Sequence, residues 1–318
     1  ILHERLATKG GPGAAGTLSE GEDGVPTNVG AHFEYTLGNI EKGFKEADII
    51  VERETHTKAV HQGYIEPQSA TVDWHSNGEV TIWCSSQGQF QIREQSALVL
   101  GVPVSKIRVV PLEIGGGFGG KLSIYLEPVA SILSKKSGRP VKITMSRAEV
   151  FEGTGPTAGT SILVKIGATK DGKITAADAT LIYEAGAYPG SPLNPGCNCI
   201  FAPYDIPNAH IEGYDVVINA PKTAAYRAPG APAAEFAAEV VIDEICEKLN
   251  MDPIEFRRIN AAKEGTRRVN GPLFPKIGFL EVLQAAKDHD HYNTPLDGPN
   301  RGRGIAVGFW GNGTGPAS

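Results

Sequence analysis

The stretch Glu113-Ile114-Gly115-Gly116-Gly117-Phe118-Gly119-Gly120-Lys121 constrains this chain most. A strand-like run, Lys106 to Val110, precedes it, and a helix-like run from about Ile124 to Lys136 follows. Glycines let the backbone take positive φ and approach a ligand without a Cβ in the way. Successive N–H groups ahead of a helix form a concave anion site. The stretch therefore reads as the seat of a large anionic cofactor, with the rest of the chain arranged around it.

Three readings fit the motif itself. Gly115-x-x-x-x-Gly120-Lys121 matches a nucleotide phosphate loop up to Leu122, which stands where Mg²⁺ binding needs Ser or Thr; Ser123 comes one place late. Gly115-x-Gly117-x-x-Gly120 matches a dinucleotide fingerprint, without the acid expected about 20 residues on. The next strand ends Thr144-Met145-Ser146-Arg147, and an arginine there suits a 2′-phosphate, so an NADP-dependent dehydrogenase is the rival enzyme. The third reading is a loop kept small for close packing.

The 318 residues suffice for one large or two medium domains. A net charge of −6 argues against a dedicated nucleic-acid or anionic-membrane binder. No apolar run approaches the roughly 18 residues of a membrane span, and the start Ile1-Leu2-His3-Glu4-Arg5 lacks a signal-peptide pattern, so a cytoplasmic location is expected. Both ends read as truncated. Cys84, Cys197, Cys199 and Cys246 are too scattered for a disulfide scaffold, and Cys197-x-Cys199 has no second ligand pair at zinc spacing.

Residues 7–31 read as linker. Strands are expected at 32–36, around 52–56, and at 70–74, 79–84, 106–111, 141–146, 161–168, 173–184, 212–219 and 304–309. Helices are expected at 40–47, 90–100, 124–136, 233–250, 253–260 and 278–287. Residues 188–203 and 289–303 read as loop. Helices interspersed among hairpins indicate an α+β fold with mixed sheets.

Three stretches, in order and spacing, carry a resemblance: Cys84-Ser85-Ser86-Gln87-Gly88-Gln89; Gly115 to Lys121; and Ala225-Tyr226-Arg227-Ala228-Pro229-Gly230-Ala231-Pro232. Together they resemble the molybdopterin-binding subunit of the xanthine dehydrogenase/aldehyde oxidase family, the molybdenum hydroxylases. The likeness runs from about residue 48 to 318 and implies the N-terminal half of the molybdopterin-binding domain, with 1–47 as the tail and connector of a preceding hammerhead-type domain. It implies a molybdenum–molybdopterin cofactor, in some members a cytosine dinucleotide, and oxidation of an aldehyde or aromatic N-heterocycle with water as oxygen source. The cofactor supplies the redox chemistry while the protein positions and tunes it. Gln87, Gly116, Gly117, Phe118, Gly119 and Arg227 match cofactor-binding positions, and Gln87, Phe118 and Arg227 are contacts of the molybdenum site rather than side-chain ligands. Glu66, in His61-Gln62-Gly63-Tyr64-Ile65-Glu66-Pro67, reads as structural.

Leu122 stands where xanthine-oxidising members carry glutamate, the place of their purine-binding arginine falls near Pro195, and Pro229 replaces a phenylalanine that packs on the purine. These three mark the substrate pocket and point away from xanthine. Ala228 stands where carbon monoxide dehydrogenases hold a copper-binding cysteine. The family's general-base glutamate lies in a later region, so Glu127, Glu235 and Glu239 are not assigned that role. A second molybdopterin-binding chain or a C-terminal half is expected as partner, with iron–sulfur and FAD subunits to carry electrons, because this chain lacks the cysteine clusters such centres need. A non-catalytic assembly subunit is the remaining alternative.

Overall fold

The computed structural model describes residues 27–311. In chain order the elements are β1 (Val29–Leu37), α1 (Ile40–Lys45), β2 (Ile49–Thr57), β3 (Ser69–Trp74), β4 (Val80–Cys84), α2 (Gln89–Leu100), β5 (Ile107–Pro111), α3 (Glu127–Ser137), β6 (Val141–Thr144), α4 (Arg147–Gly153), β7 (Thr160–Ala168), β8 (Ile174–Gly186), α5 (Leu193–Cys199), β9 (Ala209–Val217), α6 (Ala231–Leu249), α7 (Pro253–Ile259), α8 (Phe279–Asp288) and α9 (Asp290–Asn293). The fold is α+β with mixed sheets. The chain forms two compact units: residues 59–158 with 218–227, and the remainder.

In the larger unit a five-stranded sheet has the order β1-β9-β8-β7-β2, with β8 and β9 parallel and the other pairs antiparallel. The Asp171-Gly172 turn joins β7 to β8, and Gly172 takes the positive φ (80°) such a turn requires. Helix α6 packs on β2 and β7. It buries Ala234, Ala237, Ala238, Val241, Ile242 and Ile245, and the alanines let the helix approach the sheet closely.

The smaller unit holds a four-stranded sheet, β5-β4-β3-β6. Period-2 alternation puts Ala70, Val72, Val80, Ile82, Cys84 and Ile107 on one face, where Ile92 and Ala97 of α2 and Ala130 of α3 cover them. Burying each large aliphatic side chain there contributes roughly 1.5–3 kcal/mol. Strands β4 and β5 run parallel with α2 as the crossover, so their C-terminal ends lie side by side. Strand β3 is antiparallel to both β4 and β6, so its N-terminal end and the C-terminal end of β6 lie at that same edge. Four loops, starting near residues 61, 85, 112 and 145, thus meet at one end of the sheet.

Several expectations are corrected. The helix after the glycine stretch starts at Glu127, not near 124, so the stretch does not feed directly into a helix N-terminus. Residues 193–199 form α5 despite their Pro, Gly and Asn content: Leu193, Gly196, Cys197 and Cys199 are buried, and a Cβ on Gly196 would lie 2.7 Å from the Tyr183 hydroxyl. Residues 290–293 form a short helix. The strand expected at 304–309 has no ladder partner among the described residues; instead Val307 N–H donates to Glu239 (2.9 Å) and Phe309 N–H to Glu235 (2.5 Å). For the division expected at residue 47, the structure shows only that β1 pairs with β9 within the larger unit. The part of that expectation covering 1–26 lies outside the described residues. Among the described residues no helix is long and apolar enough to cross a membrane.

Candidate functional site

The glycine loop leaves the edge strand β5 and is held by two side chains acting as acceptors. Gln87, three residues after β4, places Oε1 2.8 Å from Gly119 N and 3.3 Å from Lys121 N. Its own N–H donates to Lys121 O at 2.9 Å. Glu66, before β3, accepts from Gly115 N (2.7 Å) and from Lys121 Nζ (2.6 Å). Gly120 N–H closes a turn onto Gly117 O at 2.7 Å.

Amides 115, 119, 120 and 121 are therefore occupied. The N–H groups of Gly116, Gly117 and Phe118 donate to nothing among the described residues. Because loop N–H groups demand an acceptor, the carbonyl end of the Gln87 amide faces them and its NH₂ end faces away, with two donors available. A cluster of backbone N–H groups and an amide NH₂ is a neutral donor set suited to the oxygens of an anion.

Close approach explains the glycines. A Cβ on Gly117 would lie 2.5 Å from Gln87 Oε1, and one on Gly119 2.8 Å from Ala225 O. Gly116 and Gly119 have φ of 97° and 99°, and Phe118 itself has positive φ (51°). That strained conformation projects the Phe118 ring outward, 47% exposed, edge-on to Tyr226 with centroids 6.5 Å apart. Phe118 O accepts Arg227 N–H at 2.9 Å, which brings the 221–227 loop against the glycine loop. The Arg227 side chain is exposed and makes no ion pair among the described residues.

The structure therefore brings Gln87, Gly116, Gly117, Phe118, Gly119 and Arg227 together. Leu122 lines a neighbouring cavity of 570 Å³ with Gly119, Gly120, Ile124, Tyr125, Gly155 and Ala225. Pro195 and Pro229 belong to the other unit, Pro195 in α5 and Pro229 in the turn before α6. Cys197 and Cys199 are buried in α5, and burial pushes both thiols up to about 12.

Three residues have supporting roles that the sequence did not assign to them. Gln62 is buried; its Nε2 donates to Ala225 O (2.8 Å) and Gly155 O (3.3 Å), tying two cavity walls together. Arg147, read above as a phosphate ligand, instead donates to the carbonyls of Tyr64 (3.0 Å) and Ile65 and lies over the Phe151 ring. Burial and the nearby Arg147 hold His61 below its ordinary pKa, and its Nε2 lies 2.7 Å from Thr154 Oγ1. The sequence signal for Gln62 was its place in the His61–Pro67 run. Arg147 gave none, since the carbonyls it holds are over 80 residues away in the chain.

The dinucleotide reading loses its geometry as well. A dinucleotide fold needs a parallel neighbour after the loop's helix, but β6 pairs with β3 at the opposite sheet edge from β5.

Residues 22–261 match the family model described as molybdopterin cofactor-binding domain. The nicotinate dehydrogenase large molybdopterin subunit of Eubacterium barkeri is 30% identical over 81% of this chain and 61% of its own length. Aldehyde oxidase 3 of Mus musculus is 29% identical over 83% of this chain and 20% of its own. The solved aldehyde oxidoreductase of Desulfovibrio gigas superposes with a TM-score of 0.77 at 27% identity, covering 89% of this chain and 32% of that one. The chain thus spans less than two thirds of these relatives.

Proposed function

The chain belongs to the molybdopterin-binding subunits of the xanthine dehydrogenase/aldehyde oxidase family, and from that premise we propose that it forms one wall of the active site of a molybdenum hydroxylase acting on an aldehyde or an aromatic N-heterocycle. The observation that carries this reading is the unspent donor set: the N–H groups of residues 116–118 and the outward NH₂ of Gln87. A Cβ at Gly117 or Gly119 would press on Gln87 or Ala225 and displace the loop that presents these donors. The bound cofactor supplies oxidation of an electron-poor carbon with water as oxygen source.

The roles of this chain's residues follow. Gln87 donates through Nε2 to a cofactor oxygen, while its Oε1 stays on the loop amides. Gly116, Gly117 and Phe118 present backbone donors, and Gly119 keeps the loop against Ala225. Arg227, whose backbone N–H bonds Phe118 O, adds a permanent positive charge on the adjoining loop. Leu122, with Ile124 and Tyr125, gives the neighbouring cavity an apolar wall that suits an aromatic ring. Burial raises the Tyr125 pKa, so the phenol stays neutral there.

The general base and the remaining pterin contacts lie on a partner chain or a longer product, and iron–sulfur and FAD subunits accept the electrons. The cofactor is molybdopterin or its cytosine dinucleotide form, and the enzyme acts in the cytoplasm. The test is co-expression of the chain, in molybdenum-replete cells, with the remaining length found in its relatives. Molybdenum, pterin and dye reduction are then measured with and without that partner. Pterin-bound molybdenum and turnover only in the pair support the reading. Turnover by the chain alone overturns the split site, and a pair without pterin overturns the cofactor.

A further inference from the structure

We propose that Glu66 is the positioning residue that presets the glycine loop as an anion seat, by holding both ends of the loop on a single carboxylate oxygen. Oε2 takes Gly115 N–H at 2.7 Å and Lys121 Nζ at 2.6 Å, so residues 115–121 close into a ring through one atom. The Glu66 N–H returns a bond to Gly115 O at 3.2 Å, pairing the two residues in both directions. A Cβ on Gly115 would lie 2.6 Å from Glu66 Cβ, so this contact accounts for glycine at 115.

The other end of the ring is locked by burial. Lys121 is 2% exposed, and its ammonium finds Glu66, the Ser85 hydroxyl (3.0 Å) and the face of Tyr64 (4.9 Å to the centroid). Those three partners match the three donors of an ammonium. The Glu66 backbone is fixed in turn, because Arg147 holds the carbonyls of Tyr64 and Ile65 just before it. Gln87 alone cannot do this work: it reaches residues 119 and 121 but not the start of the loop.

The consequence is preorganisation. Three adjacent free amides on a glycine-rich segment sample many orientations unless both ends are pinned, and ordering them at the moment of binding weakens affinity. The ring through Glu66 removes that cost in advance. The proposal rests on the cofactor reading above for what the loop binds, but not for the closure itself.

The experiment uses the full 318-residue chain and its Glu66→Ala, Glu66→Gln and Glu66→Ala/Lys121→Met variants. Amide hydrogen exchange is followed at residues 115–121 and, as control, along β4. The Glu66→Ala chain is expected to exchange on the order of ten- to a hundredfold faster at the bonded amides 115 and 119–121 of this segment, with β4 unchanged. Glu66→Gln should fall between, because its amide oxygen still accepts Gly115 N–H while the charge opposite Lys121 is gone. The double variant removes the orphaned ammonium, so it should regain thermal stability yet keep the fast loop. Unchanged protection at 115–121, or equal acceleration in β4, overturns the proposal. Pterin content is measured in parallel. A wild-type chain without pterin in its loaded assembly sinks the cofactor reading and leaves the exchange result standing. A Glu66→Ala assembly that keeps full pterin despite a fast loop sinks the positioning role.

Discussion

Each compact unit has a carboxylate that gathers backbone and cationic donors, and the two differ in what they leave over. In the larger unit Glu239 accepts the Tyr204 hydroxyl, Arg257 Nε and Nη2 (3.0 and 2.7 Å) and Val307 N–H (2.9 Å). Arg257 is fully buried and also donates to Asp243 (2.8 Å) and Pro253 O (3.1 Å). Every group is partnered, and the assembly joins α6, α7, the 201–204 turn and the 304–309 segment. In the smaller unit Glu66 and Gln87 consume only part of a donor set and leave three amides and one NH₂ without a partner among the described residues. A buried ion pair alone is thus a poor marker of function; unspent donors held rigidly are a better one.

The largest expected effect breaks the satisfied side of this comparison. Replacing Arg257 with Met leaves the buried Glu239 carboxylate without its cationic partner and should cost about 3–5 kcal/mol, read as a shift in the denaturant midpoint. If Glu239 belongs to scaffold alone, hydrogen exchange at residues 115–121 should stay at wild-type rates below the transition. Faster exchange at the loop would show that the two carboxylate sites are coupled.

The next prediction breaks the unspent side. Gly117→Ala places a methyl 2.5 Å from Gln87 Oε1, and that atom ends a flexible side chain that can swing aside. The stability cost should stay near 1 kcal/mol, the worth of one or two exposed hydrogen bonds. Pterin and molybdenum content of the loaded assembly should nevertheless fall by on the order of tenfold, because Gln87 loses the amides that orient it. A loaded assembly with full cofactor content would remove Gln87 and Gly117 from the seat.

Much of this contrast was legible in the sequence, and for physical reasons. The alternation in Ala70–Trp74 and Val80–Cys84, the Asp171-Gly172 turn and the αL glycines ending α2 and α3 (Gly101 and Gly138) are local signals, and the structure follows them. Gln87 and the glycine loop stood out by motif. Arg147 misled because its partners are set by the antiparallel return of β6 beside β3, which no local pattern encodes. The 304–309 segment has the period of a strand, and its burial alternates accordingly. Its hydrogen bonds go to Glu235 and Glu239, which only the tertiary fold brings near. Helix α5 was hidden because Pro192, Pro195 and Gly196 are turn-formers by composition, yet here burial against Tyr183 decides.

The smallest effect sharpens the satisfied side by its one imperfect member. Glu235 lies one helical turn before Glu239, and among the described residues its one hydrogen-bond donor is Phe309 N–H. Burial, together with the Glu239 charge, outweighs that bond and pushes its pKa up to about 7. Its folded-state pKa therefore exceeds the ordinary 4.5, so between those values the folded chain binds more protons than the unfolded one. Stability should then fall as pH rises from about 4.5 to about 7, by on the order of 1 kcal/mol once solvent screening of a half-buried group is allowed for. Glu235→Gln keeps an acceptor for Phe309 N–H and removes the titration. Unfolding curves of the variant between pH 5 and 8 should lack this slope, and at pH 8 it should be at least as stable as the parent. A parent curve that rises through this window instead would mean that Glu235 is ionised and paired, making it a second satisfied carboxylate like Glu239.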